Sequence, residues 1–144
     1  MLALFDTNIY IGELTGRVPA GESEKWRSQY LIRLSPVVYH ELLRGARKRD
    51  WVHEIRDHTV LTPAPTFKMW EESASILSQW HFSSRENEVL FKLQNDVLIA
   101  LTARSLGAVV ITQDRHFEKI AQKVSFLYFL HGEKHDPTLR HHSS

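Results

Sequence analysis

Hydrophobic residues fall along this chain in two distinct patterns. Short unbroken apolar runs occur at Leu2-Ala3-Leu4-Phe5, at Ala108-Val109-Val110-Ile111-Thr112 and across 124–130. Runs of that length without alternation suit strands buried on both faces, as in a parallel sheet. Helical stretches lie between them. Ser35-Pro36 joins a favoured N-cap to a proline at the first helical position, and predicts a helix over 37–47 with Gly45 as a weak point. Residues 47–57 continue as a polar helix. Val60-Leu61 reads as a short strand leaving into Pro63 and Pro65, after which Thr66 caps a helix to about Trp80. Residues 86–106 read as a helix ended by Gly107, and 115–122 as a short helix. Trp26 to Leu34 reads as a helix running into a short strand. The span 15–24, with Gly16, Pro19 and Gly21, reads as a loop, and the chain from His131 onward as a loose polar tail. Strands alternating with helices imply an α/β domain with a mainly parallel sheet, over residues 1–130.

Composition narrows the partners and the chemistry. The chain has 144 residues, 42% hydrophobic and 24% charged, so one domain with an ordinary core is expected. Eighteen Lys and Arg against 17 Asp and Glu give a net charge of +1, so any nucleic-acid contact needs a local patch rather than a whole-chain field. Cysteine is absent, which removes disulfides, thiolate metal sites and a cysteine nucleophile together, and agrees with a reducing cytoplasm. The first ten residues carry Asp6 within their apolar run and lack a basic start, unlike a signal peptide. The longest helical apolar stretch, Val97 to Leu101, falls far short of the ~20 residues of a membrane span.

Four carboxylates stand where apolar surroundings make them costly. Asp6 ends the first strand, and Asp114 follows the strand over 109–111; in open α/β sheets, ligands bind outside such strand ends. Glu41 interrupts the apolar positions of the 37–47 helix, and Asp96 leads straight into Val97-Leu98-Ile99-Ala100-Leu101. Read singly, Asp6 is also a helix cap, Asp114 a turn residue and Glu41 a solvent-facing helix residue. Asp96 is the hardest to read that way. Buried carboxylates are expensive and repel one another, and a divalent cation with a preference for oxygen removes both problems.

The segments around these acids carry a resemblance. Asp6-Thr7-Asn8, the stretch from Ser35 to Ala46, Asn95 to Ala103, and Val110 to Phe117 are similar to the four motifs of PIN-domain nucleases, above all the VapC-type toxins of bacterial and archaeal toxin–antitoxin pairs. Each motif alone is weak; four in order at fitting separations are specific, and they span residues 2 to about 130. The resemblance implies a PIN-like (Rossmann-like) three-layer α/β/α fold with a central parallel sheet of four or five strands. It implies Mg²⁺- or Mn²⁺-dependent cleavage of RNA in the cytoplasm, a homodimer and a small antitoxin partner. Residue by residue, Asp6, Glu41, Asp96 and Asp114 fall on the acidic quartet, with Asp6, Asp96 and Asp114 as metal ligands, while Asn8 and Thr112 fall on supporting polar positions. Many relatives carry a further acid where this chain has His116, a departure that bears on metal stoichiometry or pH dependence.

Substrate contacts are less legible. Arg44, Arg47 and Lys48 form part of the densest basic cluster, and their spacing puts them on one helix side as a phosphate-holding patch or a solvated face. The tryptophans at 26, 51, 70 and 80 read as packing residues rather than base-stacking ones. His53 and His58 miss zincin spacing, His131 and His135 lie near the tail, and no phosphate-binding glycine loop or G-x-S-x-G elbow is present. Three other readings remain at this level: a PIN-like domain that binds RNA or a partner without cutting, an RNA-maturation nuclease outside a toxin system, and a phospho-acceptor receiver domain, which needs a lysine after the last strand that this chain lacks.

Overall fold

The computed structural model describes residues 1–80, 87–132 and 140–142, the last three and 87–89 by backbone alone. The elements are β1 (Leu2–Phe5), α1 (Thr7–Thr15), α2 (Ala20–Gln29), β2 (Leu31–Leu34), α3 (Pro36–Gly45), α4 (Arg49–His58), β3 (Val60–Leu61), α5 (Phe67–Ser78), α6 (Asn87–Leu106), β4 (Val109–Thr112), α7 (His116–Ile120), β5 (Phe126–Leu130) and β6 (Arg140–His142). Helices cover both faces of one sheet of order β3-β2-β1-β4-β5-β6. The first five strands in that order are parallel, and β6 is antiparallel to β5. The parallel five-stranded sheet and the three layers match the expected fold class. Among the described residues no helix is long and apolar enough to cross a membrane.

The apolar runs become the centre of the sheet because both their faces are covered. Ala3, Leu4, Val109, Val110 and Ile111 have no or almost no exposure. Strand order reverses between β1 and β4, which makes their carboxyl ends a topological switch point. Register is fixed there: Phe5 pairs with Ile111, and the Asp6 N–H donates to the Ile111 carbonyl at 2.9 Å. Helix α6 packs on α3, α5 and α7 and across β1, β4 and β5. Residues Asp96 to Leu101 are all at 0% exposure, so this part of the helix has no solvent face.

Three expectations need correction. The span 15–24 is not all loop, since α2 begins at Ala20 after a left-handed Gly16 (φ 78°) ends α1. Its polar sequence hides its anchors: Trp26 packs edge-on to Phe5 at 5.8 Å, and Glu13 of α1 accepts from the Ser23 hydroxyl and from Arg27. Helix α3 stops at Gly45 rather than Arg47, because Ala46 turns extended (φ −81°, ψ 133°). Residues 140–142 of the expected loose tail form a strand against β5; His135 lies outside the described residues.

Gly12 on α1 leaves no room for a side chain. A Cβ there would lie 2.5 Å from Val18 Cγ2, and Val18 is buried with its N–H bonded to the Gly12 carbonyl at 2.9 Å. Gly12→Ala should therefore lower unfolding free energy by about 1–3 kcal/mol in urea titration. Gly21→Ala, with nothing within 4 Å of its added Cβ, should hold or raise it. Equal stabilities for the two variants would show that Val18 gives way freely.

Candidate active site

The switch point gathers the acids through backbone geometry first. Asp6 caps α1, its Oδ1 accepting from the Thr7 N–H at 2.8 Å. Its Oδ2 accepts from the Thr112 hydroxyl at 2.8 Å and from Asn8 Nδ2 at 3.1 Å. The Thr112 hydroxyl in turn accepts from the Asp114 N–H at 2.9 Å, and Asn8 Oδ1 accepts from the Gln113 N–H at 3.1 Å. Asn8 and Thr112 thus tie the β1 and β4 ends to each other through Asp6. Glu41 reaches this cluster from α3, where its Oε1 accepts from the Thr7 hydroxyl at 2.9 Å.

Asp96 approaches from the other side, out of the buried part of α6. Neither of its carboxylate oxygens has a hydrogen-bond partner among the described residues. Two groups flank it instead. Lys92 Nζ lies 3.8 Å from Asp96 Oδ1 and 3.3 Å from Asp114 Oδ2. His116 Nδ1 lies 3.9 Å from Asp96 Oδ2 and 3.3 Å from Asp114 Oδ1. The His116 backbone N–H also donates to Asp114 Oδ1 at 2.9 Å, which holds that carboxylate in place.

Crowding and burial set the charge states. Burial, then the neighbouring Asp6 charge, push the Asp96 carboxyl up to about 9, with Asp114 and Glu41 adding and Lys92 opposing. Burial raises Asp6 to about 6, less far because Lys92 and the hydrogen bonds from Thr112 and Thr7 favour its ionised form. Burial alone would lower Lys92, but the charges of Asp96, Asp6, Asp114 and Glu41 outweigh it and hold the ammonium well above its usual range.

Such a site suits a divalent cation. Asp96, Asp114 and His116 each offer a donor atom, all within 4.8 Å of one another. Adjacent donors about one octahedral ion with ~2.1 Å bonds stand about 3 Å apart and opposite ones about 4.2 Å, so the observed separations are of the right size. The unpartnered oxygens of Asp96 are what a cation would satisfy. Asp6 stands beside this trio, not in it, with both oxygens engaged by other donors. The geometric cluster therefore differs from the expected ligand set by containing His116 in place of Asp6.

Sequence reasoning passed over Lys92. The signal was available: Lys92 stands four residues before Asp96 on one helix, the spacing at which side chains meet. The basic cluster also needs correction. Because α3 ends at Gly45, Arg44 and the pair Arg47-Lys48 do not share a helix side. Arg44 lines a groove with His40, Trp70 and Phe91, whereas Arg47 and Lys48 line one with Glu41, Ile11, Leu14 and Trp51. Trp26 is a core residue, as expected, and Trp70 is 46% exposed.

Comparisons with known proteins bear on the family and the fold. The family model described as PIN domain matches residues 3–123. Among solved structures the chain is similar to VapBC2 from Rickettsia felis bound to a DNA fragment from its promoter, at 20% identity and TM-score 0.58 over 83% of this chain and 92% of that one. It is similar to VapBC-1 from nontypeable Haemophilus influenzae at 23% identity and TM-score 0.60, covering 86% and 95%. It is also similar to FitAB bound to an IR36 DNA fragment at 19% identity and TM-score 0.54, covering 93% and 99%. At these identities the likeness is one of fold. No curated protein matches the sequence.

The raised carboxyls make stability depend on pH. An unfolded chain releases these protons near pH 4, while the fold retains one on Asp6 to about 6 and one on Asp96 to about 9. The folded state then binds more protons, so stability falls as pH rises through that window, and above about pH 6 the fall is that of Asp96. In EDTA, melting temperature should decline from about pH 6 to 9. Asp96→Asn should flatten that decline and melt higher than the parent at about pH 8. Parallel profiles for the two proteins would refute the assignment.

Proposed function

Because the chain belongs to the PIN domain family, we propose that its acidic cleft is the centre of a Mg²⁺- or Mn²⁺-dependent endoribonuclease, the toxin of a toxin–antitoxin pair. The observation that carries the reading is Asp96, a fully buried carboxylate with both oxygens unpartnered, facing Asp114 and His116. Support for the toxin assignment comes from the resemblance of the four motifs to VapC-type toxins and from the fold shared with VapBC and FitAB structures.

In this reading Asp96, Asp114 and the adjoining Asp6 and His116 hold the cation. A cation so bound lowers the pKa of a coordinated water and offsets charge building on the scissile phosphate. The chain's own residues do the rest. Thr112, Asn8 and the Thr7 N–H fix Asp6, so the site does not reorganise as charge develops. Glu41, held by the Thr7 hydroxyl and bordering the groove of Arg47 and Lys48, takes the proton of the attacking water. Arg47 and Lys48 hold RNA phosphates beside an otherwise acidic cleft. Arg44, on a separate groove, offers a further phosphate contact. Lys92 offsets part of the carboxylate repulsion. Exposed Ile11 and Leu14 beside Trp51 suit the apolar face of an antitoxin helix, and exposed Phe67, Trp70 and Phe91 on α5 and α6 suit a second copy of the chain.

A second reading, RNA or partner binding without cleavage, draws on Lys92. Its ammonium already stands against Asp96 and Asp114, where it neutralises part of the charge that a cation would. Incubation of the full chain with total RNA separates the two. Discrete fragments should appear with Mg²⁺ or Mn²⁺, vanish with EDTA, and form about a hundredfold or more slowly with Asp96→Asn. A folded Asp96→Asn variant that cuts as fast as the parent would sink the nuclease reading. RNA retained without fragments in any metal would favour the binding one. Reversing Arg47 and Lys48 to Glu should weaken RNA binding and make its log–log salt slope shallower by about one to two units; no change would return the pair to a solvated face.

A further inference from the structure

His116 is placed differently from an ordinary surface histidine. Its side chain is 42% exposed, yet Nδ1 is buried and has no hydrogen-bond partner among the described residues. The ring therefore shows one edge to solvent and points the other nitrogen at two carboxylates. Those carboxylates divide their oxygens between two neighbours. Asp96 Oδ1 and Asp114 Oδ2 face Lys92 Nζ, at 3.8 and 3.3 Å. Asp96 Oδ2 and Asp114 Oδ1 face His116 Nδ1, at 3.9 and 3.3 Å. One side of the pair is thus served by an ammonium. The other side presents two oxygens and one imidazole nitrogen, and Asp96 Oδ2 has no hydrogen-bond partner there among the described residues.

We propose that His116 Nδ1 is a direct ligand of the divalent cation, bound with Asp96 Oδ2 and Asp114 Oδ1, and that it tilts the site from Mg²⁺ toward Mn²⁺. The inference rests on the reading of this cleft as a metal centre. Its chemistry is that of the donor set. Mg²⁺ prefers oxygen donors and gives up water reluctantly, whereas imidazole nitrogen suits transition-metal ions and Mn²⁺ accepts both kinds of ligand. Lys92 does not have to leave, because it uses the opposite oxygens. Each carboxylate then serves the cation through one oxygen, and the ammonium keeps the other. The backbone bond from His116 to Asp114 Oδ1 holds imidazole and carboxylate together before any ion arrives.

Electron spin-echo measurements on the Mn²⁺-loaded full chain read the ligand directly, because a coordinated imidazole couples its ¹⁴N to the Mn²⁺ spin. Calorimetric titrations with Mg²⁺ and Mn²⁺, in the absence of RNA, supply the preference. The ¹⁴N coupling should be present in the parent and absent from His116→Asp and His116→Ala. His116→Asp, which makes the donors all oxygen, should lower the ratio of Mg²⁺ to Mn²⁺ dissociation constants about tenfold or more. Circular dichroism and the melting temperature in EDTA check that each variant folds. Mn²⁺ bound without ¹⁴N coupling, together with an unchanged ratio in His116→Asp, would overturn the role of His116 and leave the metal centre standing. A coupling that survives His116→Ala would belong to another of the nine histidines and overturn it too. A parent that binds neither ion would overturn this inference and the metal-centre reading at once.

Discussion

A carboxylate buried in an apolar helix without a hydrogen bond is the constraint around which this structure is arranged. Asp96 opens a stretch of α6 that the protein encloses completely, so its charge finds neither water nor a backbone donor. Nearby groups answer to that cost. Lys92 comes from the preceding turn of the same helix, Asp114 and His116 come from the loop after β4, and Asp6 is withdrawn into hydrogen bonds of its own. A core replaced wholly by leucine would be simpler to stabilise. Retaining an acid there makes sense for a site that binds positive charge.

The two sides of the cluster do different work. Asp6 is the fixed part, with three donors on two oxygens and a network running through Thr112, Asn8 and the Asp114 backbone. Asp96 is the unsatisfied part, its oxygens directed at a lysine and a histidine rather than at amides, while Asp114 faces the same pair and keeps one bond from the His116 backbone. Rigidity and unmet valence are thus separated onto different residues. A ligand can be taken up without loosening the link that joins the central strands.

Much of this was legible from residue order, for reasons that can be named. The runs over 2–5 and 109–112 are apolar on both faces because the central strands of a parallel sheet have no solvent side. Ser35-Pro36 and Thr66 are local caps, and each side chain makes the capping bond its type favours. What stayed hidden depends on tertiary contacts. Helix α2 has a polar sequence and is held by Trp26, Ser23 and Arg27 against residues of β1 and α1. The break after Gly45, which separates Arg44 from Arg47 and Lys48, follows from a turn at Ala46, where the sequence marked the glycine only as a weak point inside a longer helix. The acids were readable because carboxylates beside apolar runs are anomalous in themselves. Lys92 was not read as a partner of those acids, since a lysine in a polar stretch is unremarkable until its neighbours in space are known, and His116 stood out only through the resemblance.

The bond between the Thr112 hydroxyl and Asp6 spans 106 positions of the chain. Strand β1 is made well before β4, its neighbour in the sheet, with two strands and six helices between them among the described residues. Loops of that length close late, and translation at about 5–20 residues per second delivers β4 several seconds after β1. During that interval Asp6 has no hydroxyl to hold it, and Asp114 and His116 do not yet exist beside Asp96. The cluster of acids therefore assembles only after both central strands have been made, and no shorter stretch of this chain brings Asp6, Asp96 and Asp114 together.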